Sequence, residues 1–572
     1  MKKLRPFWPV IIALFALILY ANAAGNGFVY DDTPEVVMNP WIRSVRNIGN
    51  IFGSSIWGYA GGVTNYYRPL IHIFRMGVYS IFGLNPLGFH LFNILVHGGV
   101  AVLVFLVASR LLCENSYSTN PQTMYFSVVA GFLFASHPIH TEAVSWICGI
   151  GDLSFTFFCL ASFYAYIRLP AARVPSFDPV YVLSLTLFSL ATLCKETALV
   201  FPLILIAYDH AMRKDAAAPL RRVAGYLPFF GVAAVYFLLR VHAIGSFAPV
   251  KRHAEMSTFQ YIISAFPLLR DYFAKLILPL DLRIFYTFHP VTSVKSASAL
   301  SGFIFMAALI AVLFTAYRRN KRAFFFLMLV LIPLLPVLYL PGLGENPFAE
   351  RYLYFSSAGF VLLLSLMIQS AVSAKPRRVL ALSVAVCLLV AMYSAGVVRR
   401  NGVWKNDHTL WEDAVKKSPD AAIAHYNFGQ ILYREGDIGG AIRHYQTALR
   451  LQPSLKVYND LAVAYNDIGM ADDAIRLLQS VLQLSPNFAD GHNNLGVAYM
   501  NKGMYENAIE QLKIAAALAP SFTGTYSNLG LSYERIGMKE DAIRNYQKAL
   551  QLDADNITAR NNLNALLLGE KK

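Results

Sequence analysis

Carboxylates and cysteines are what this chain has least of. Its 572 residues carry 34 Asp and Glu against 49 Lys and Arg, and five cysteines. Only 15 of the acids fall in residues 1–401, beside 32 basic side chains, whereas residues 402–572 hold 19 acids and 17 bases. The basic excess therefore belongs to the first part alone, which is also the apolar part, and this argues against nucleic acid as a partner. Charged residues make up 15% of the chain and apolar ones 56%, with a mean hydropathy of +0.45. That is too apolar for one soluble domain and fits a polytopic membrane protein. Cys113, Cys148, Cys159, Cys194 and Cys387 have no metal-ligand spacing and read as small apolar residues.

Long apolar runs are what the first part has instead. Lys2, Lys3 and Arg5 precede a run from Pro6 to Ala24. It reads as a retained first span with a cytoplasmic N-terminus, being long for the core of a signal peptide. Further runs of spanning length lie near 86–112, 125–140, 149–169, 179–194, 197–212, 223–243, 299–317, 323–340, 352–372 and 379–398. The basic loops fall at Arg110, at Arg168 and Arg173, at Arg213 to Arg222, at Arg318 to Arg322 and at Lys375 to Arg378, alternating as the positive-inside rule requires for eleven spans. An odd count places the C-terminal part outside the cytoplasm. The semi-apolar stretch 258–290 holds Arg270, Asp271, Lys275 and Asp281 and is expected to form interfacial helices on the outer side.

Residues 402–572 follow a different rule. Pro453, Pro486 and Pro520 recur at 33–34 residues, as do Ala441, Ala474, Ala508 and Ala542, and Tyr433, Tyr465, Tyr499 and Tyr533 form a further column. This resembles the tetratricopeptide (TPR) pattern, in which each unit is a helix pair with small residues where helices cross. Four units are expected near 422–455, 456–488, 489–522 and 523–556, with a terminal helix over 557–568. Stacked units form an α-solenoid with a concave groove. Asn427, Asn459, Asn493 and Asn528 recur near one position of the first helix, where an amide can hold a peptide backbone. A solvated polar face is the other reading of that column.

Under the eleven-span topology, all but Glu114, Asp178, Asp209 and Asp215 of the acids in residues 1–401 fall on the outer side or at outer ends of spans. Four constellations result. Asp31-Asp32 lies in an outer loop over 25–85, where one carboxylate can take a proton from a hydroxyl while its neighbour orients the acceptor or a metal. Asp-Asp-Thr-Pro is equally good helix-start chemistry. His137, His140 and Glu142 form a second cluster with Trp146 and Asp152, although His at i and i+3 around a proline is no known zinc signature. Lys195-Glu196 can hold a phosphate or form an exposed pair. Glu345-Asn346 and Glu350-Arg351 enter the tenth span, and the planar fork of Arg351 suits a phosphate.

Taken in order, Tyr30-Asp31-Asp32, Tyr67-Arg68-Pro69-Leu70, His90-Leu91-Phe92-Asn93, His137-Pro138-Ile139-His140-Thr141-Glu142, Lys195-Glu196 and Glu350-Arg351-Tyr352-Leu353-Tyr354 resemble the transmembrane and TPR repeat-containing protein family, and the chain looks like its bacterial kind. That family resembles the multispanning GT-C glycosyltransferases, which move a sugar from a polyprenyl-phosphate carrier to an acceptor outside the cytoplasm. Its animal members are assigned protein O-mannosyl transfer.

The resemblance implies an all-α architecture. Residues 1–401 would be a GT-C-like membrane domain with an interfacial segment over 244–298, 402–421 a degenerate half repeat, and 422–572 the four repeats with their terminal helix. It makes Asp31 and Asp32 the acceptor-activating acids, and Arg68, Lys195, Glu196, Glu350 and Arg351 the carrier-phosphate site. His137, His140, Glu142 and Trp146 become site walls. The partners implied are a polyprenyl-phosphate-linked sugar, a protein or glycan acceptor, the bilayer, and a protein held by the repeats. No cofactor is expected, with a divalent metal left open. An inner-membrane location with periplasmic repeats follows. Two other readings stay open: a non-enzymatic TPR scaffold for envelope assembly, and a lipid or solute transporter.

Overall fold

The computed structural model describes residues 5–62, 64–112, 121–169, 178–213, 219–246, 250, 256–339, 347–374 and 379–569. All regular structure among them is helical, so the chain is all-α as expected. It divides into two compact units, Met1–Asp413 and Ala414–Lys572.

The principal helices of the first unit are α1 (Trp8–Leu19), α2 (Pro69–Phe82), α3 (Pro86–Leu111), α4 (Pro121–Ser136), α5 (Ile150–Tyr166), α6 (Pro179–Cys194) and α7 (Phe201–Met212). They are followed by α8 (Pro219–Ile244), α9 (Thr258–Ile277), α10 (Ala297–Arg319), α11 (Lys321–Leu331), α12 (Leu353–Ala374) and α13 (Val379–Asn401). Their starts follow local chemistry. Proline occupies the first turn of α2, α3 and α6, where a missing N–H costs nothing. Asp178 caps α6 by accepting from Val180 N, and Ser257 and Gln260 close a reciprocal capping box on α9.

Seven helices are long and apolar enough to cross a membrane, and four shorter apolar ones accompany them, among the described residues. With its apolar spans the chain is an integral membrane protein. Two places differ from the pattern read off the sequence. The stretch 197–212 begins as the 3-10 turn Glu196–Val200 and only then becomes α7, while α2 lies inside what reads as an outer loop. The second difference arises because α2 buries His72 and Arg75 along with Ile71 and Met76, which breaks the apolar run that would have marked a helix in the sequence.

One continuous core joins α1, α3, α4, α5 and α12 through Ile12, Val104, Phe134, Phe163 and Tyr354. α3 packs against α1, α4 and α5, and α5 runs along α6. Backbones close in where glycine allows it: a Cβ on Gly302 would stand 2.7 Å from Pro267 N, so α10 crosses α9 at contact distance.

The second unit is a TPR solenoid of helix pairs, Ala422–Arg434 with Ile438–Leu451, Leu455–Asp467 with Ala471–Leu484, Ala489–Asn501 with Tyr505–Leu518 and Thr523–Arg535 with Lys539–Leu552, closed by Ile557–Gly569. Each pair turns on a left-handed glycine, Gly436, Gly469, Gly503 and Gly537, with φ between +74° and +91°. The small-residue column marks crossings, since a Cβ on Gly530 would lie 2.6 Å from the Tyr546 ring.

Candidate active site

The loop after α1 turns at Tyr30, whose φ of +53° is rare for a side chain of its size. Tyr30 N donates to Asp407 Oδ1 at 2.9 Å, and its ring sits among Trp146, Phe285 and Trp411 with centroid distances of 6.0, 6.0 and 5.2 Å. The two acids that follow therefore meet different surroundings. Asp32 is fully buried, its Oδ2 accepting from Val29 N (3.1 Å) and its Oδ1 from Cys148 N (2.9 Å). Asp31 lines a cavity of about 130 Å³.

That cavity draws on distant parts of the chain. Besides Asp31 it is lined by Glu35, Tyr66, Arg68, Arg75, Trp146, Cys148, Asp152, Lys195, Arg351 and Tyr352, among others. Its cations come paired. Arg68 grips Glu196 through both ends of its fork, Nε to Oε2 at 3.0 Å and Nη2 to Oε1 at 2.6 Å, and lies 4.4 Å over the Tyr66 ring. Lys195 Nζ meets Asp152 Oδ1 at 2.6 Å and Arg75 Nη2 meets Glu35 Oε2 at 2.5 Å. Arg351 is held by Glu142 through both its guanidinium and its backbone N–H, and it lies 5.4 Å over the Trp146 ring. Asp31 lines the same cavity without an ion-pair partner of its own among the described residues.

The electrostatics follow from that arrangement. Burial, then the nearby Glu35 and Asp32, push the Asp31 carboxyl up to about 7, with Arg351 and Arg75 opposing. Burial alone drives Asp32 up to about 7, against the backbone amides it accepts from. Burial lowers the Lys195 ammonium to about 8, with Asp152 opposing. Glu196 lies below the usual carboxylate range: burial would raise it, and the Arg68 charge and hydrogen bonds outweigh that effect. The site thus combines a carboxylate able to take a proton near neutrality with fixed cations facing it.

A second, more apolar cleft of about 250 Å³ shares Tyr66, Arg68, Lys195 and Tyr352 with the first and continues along Leu199, Phe237 and Val337. The polar chamber and the apolar cleft therefore meet at Arg68 and Lys195.

The sequence-derived residues distribute unevenly over this geometry. Asp31, Arg68, Trp146, Lys195 and Arg351 line the polar cavity, and Glu196 lines the apolar cleft. Glu142 supports Arg351 from behind. Asp32 braces the loop with both oxygens occupied by backbone amides. Glu350 is fully buried away from the cavity, bound by Arg400 (3.0 Å), Tyr286 Oη (2.6 Å) and Arg283 N (2.6 Å), because consecutive residues of a helical turn point in different directions. His137 joins Leu276 O (3.0 Å) and accepts from Ile139 N (3.3 Å), and His140 joins Ser357 Oγ (2.8 Å). Both are buried in the helix packing and neither lines the cavity. No group of three or more His, Cys, Asp or Glu able to hold a metal occurs among the described residues.

Glu35, Arg75 and Cys148 are the site residues that sequence reasoning passed over. Glu35 stands four residues past Asp31, a spacing that places it one helical turn away, and this signal was available. Arg75 sits in an unrecognised helix. Cys148 is no mere apolar filler: its Sγ lies 3.1 Å from Arg75 Nη2. Glu345 and Asn346, and with them Cys113, lie outside the described residues.

In the repeats the asparagine column bonds sideways. Asn494 Nδ2 donates to Asn459 Oδ1 (2.8 Å), and Asn528 Nδ2 and Thr525 Oγ1 donate to Asn493 Oδ1 (3.3 and 3.1 Å). Asn427, half-buried, stands in register with Asn494 and Asn528, and Asn459 and Asn493 sit one residue earlier in their helices. A hollow of about 410 Å³ is lined instead by Gln430, Tyr433, Arg434, Tyr445, Asp460 and Val463.

Known proteins resemble both the membrane unit and the repeats of this chain. Tetratricopeptide repeat families match residues 408–455, 462–503, 489–522 and 525–556. Across the membrane unit and repeats, the chain is similar to protein O-mannosyl-transferase TMTC4 of Homo sapiens, 27% identical over 500 residues that cover 77% of this chain and 66% of that protein. It is likewise similar to protein O-mannosyl-transferase F38B6.6 of Caenorhabditis elegans, 28% identical over 457 residues that cover 78% of this chain and 63% of that one. The relatives expected from the ordered motifs are therefore the ones found. The chain spans slightly under two thirds of the length of these relatives. Among solved structures, that of MamA is 26% identical with a TM-score of 0.24, covering 25% of this chain and 85% of that one.

Proposed function

We propose that the chain is a membrane glycosyltransferase that moves a sugar from a polyprenyl-phosphate carrier to a hydroxyl of a protein or glycan acceptor on the non-cytoplasmic face. The observation that carries this reading is the junction of the two cavities: Asp31 faces Arg68, Lys195 and Arg351 in a polar chamber that opens onto an apolar cleft at Arg68 and Lys195. An isoprenoid chain suits the cleft and its phosphate the cations. The names carried by the relatives make mannose the sugar to test first.

The chemistry balances with this chain's own groups. The acceptor hydroxyl attacks the anomeric carbon while Asp31 takes its proton. The bond from the anomeric carbon to the phosphate oxygen breaks through an oxocarbenium-like state, and its electron pair leaves on the phosphate. Arg68, Lys195 and Arg351 stabilise that developing charge, usually the largest contribution to such a step. One displacement inverts the sugar. Asp32 keeps Asp31 in place, and Trp146 offers a ring face to the sugar. The repeats would hold the acceptor or a partner protein, and an inner membrane with the repeats in the periplasm is the compartment this reading requires.

The purified chain, given mannose on a polyprenyl-phosphate carrier and a hydroxyl-bearing peptide, should form glycopeptide, and Asp31→Asn at equal protein level should not. Full product from Asp31→Asn would remove the assignment. Thiol labelling of cysteines introduced at exposed Asn50 and Gln483 tests the compartment, and labelling from opposite sides of the membrane would sink it.

A further inference from the structure

Outside the Asp31 chamber, α9 and the chain over 281–291 enclose a separate cavity of about 380 Å³. Lys275, in the last turn of α9, lines it. Its Nζ is held by the carbonyl oxygens of Leu280 (2.7 Å) and Asp281 (2.8 Å), with no carboxylate in contact among the described residues, and lies 5.5 Å over the Tyr286 ring. An ammonium has three N–H groups, so one remains to be donated. Thr287 lines the same cavity, and its Oγ1 is buried without a hydrogen-bond partner. A buried hydroxyl left so is unfavourable and calls for an explanation.

The two acids at this cavity are already engaged, Asp271 by Arg270 (2.7 Å) and Asp281 by Arg283 (2.5 Å). Lys275 has no carboxylate in contact, with the Asp281 and Glu350 charges acting on it from farther off, and its remaining N–H is available to an anion in the cavity. Its setting narrows which anion. Ile277, Leu278 and Leu280 lie two to five residues past Lys275 and are 53%, 63% and 69% exposed. Apolar side chains left open beside a cation, at the end of a helix too polar to span, belong at the boundary between acyl chains and headgroups.

We propose that this cavity binds the phosphodiester of a membrane glycerophospholipid, with Lys275 Nζ and Thr287 Oγ1 donating to its oxygens and the acyl chains lying along Ile277, Leu278 and Leu280. The site is connected to the first chamber: Tyr286 Oη and Arg283 N both donate to Glu350 Oε1 at 2.6 Å, and Glu350 directly precedes Arg351. A bound headgroup would brace that wall. The proposal does not depend on the reaction assigned above.

Native mass spectrometry of the full-length chain in detergent, titrated with phosphatidylglycerol, tests this directly. The wild type is expected to retain one tightly held lipid. Thr287→Val, which keeps shape and removes only the hydroxyl, and Lys275→Gln should each lower its occupancy by about fivefold, corresponding to one lost hydrogen bond. Lys321→Gln, at an exposed helix start elsewhere, should leave it unchanged. Equal retention by the wild type and Thr287→Val overturns the proposal even if Lys275→Gln fails to fold. Displacement of the lipid by millimolar inorganic phosphate also overturns it, by assigning the site to a soluble anion.

Discussion

The backbone N–H of Cys148 donates to Asp32 Oδ1 at 2.9 Å, tying the loop after α1 to the start of the span that carries Asp152. This bond separates two adjacent acids that look equivalent in sequence. Asp32 spends both oxygens on backbone amides, which leaves Asp31 to face the cavity.

Substitution should therefore split the pair. Asp31→Asn is expected to lower kcat by about 10²–10⁴-fold with little change in the donor KM, the usual loss on removing a general base. Asp32→Ala is expected to act through stability, leaving two buried N–H groups unmet at about 1–3 kcal/mol each. Melting curves and steady-state kinetics on the two variants distinguish the effects. Equal melting temperatures for Asp32→Ala and wild type would contradict the bracing role.

A bell-shaped pH dependence of kcat/KM is expected, rising through about pH 7 as Asp31 ionises and falling through about pH 8 as Lys195 loses its proton. The stability consequence has a definite sign. A carboxyl raised on folding holds its proton more tightly in the native state, so the fold loses stability as pH rises from about 4 to about 7 and stays at the lower level above that. Asp31→Asn should consequently melt above the wild type at pH 8, and the difference should vanish below about pH 4, the ordinary carboxylate range. A melting advantage that grows on acidification would contradict this.

Glu196 competes with any anion for the Arg68 fork. Glu196→Gln should weaken that grip and lower the donor KM, whereas Arg68→Lys removes the bidentate geometry and should raise KM by about tenfold. Both are read from initial rates against donor concentration. A higher KM in Glu196→Gln would mean that Glu196 serves mainly to position Arg68.

In the repeats, Asn493→Ala should reduce stability by about 1 kcal/mol without abolishing partner capture, because its amide oxygen is used between repeats. Gly530→Val should cost about 1–3 kcal/mol or more, forcing atoms into the Tyr546 ring. Limited proteolysis of the full chain measures both. Asp460→Ala, in the hollow that also holds Tyr433 and Tyr445, is the variant expected to weaken capture.

Much of this was legible in sequence wherever a period or a run carries the information. The helix pairs of the repeats begin and end close to where Pro453, Pro486 and Pro520 and the alanine column place them, because each unit is built by local contacts with its neighbours. Most of the apolar runs became helices for a comparable reason. Helix α2 stayed hidden because Arg75 and His72, both buried, disguise its apolar face. The cavity was legible only in part: Lys195 and Arg351 were read beside their chain neighbours Glu196 and Glu350, but no spacing along the chain reports that Asp152 and Glu142 hold them instead, or that Glu196 holds Arg68.

The sequence by itself determined that the chain is helical, that its first part enters a membrane and that its second part repeats, since hydropathy and periodicity are properties of neighbouring residues. The tertiary structure alone decided which of the singled-out polar residues share a chamber. Glu350 and Arg351 are consecutive yet face different networks, and Asp31 and Arg351 are more than three hundred residues apart yet face one cavity. Burial and charge act through space, so a helix turn or a distant carbonyl settles what a side chain can do.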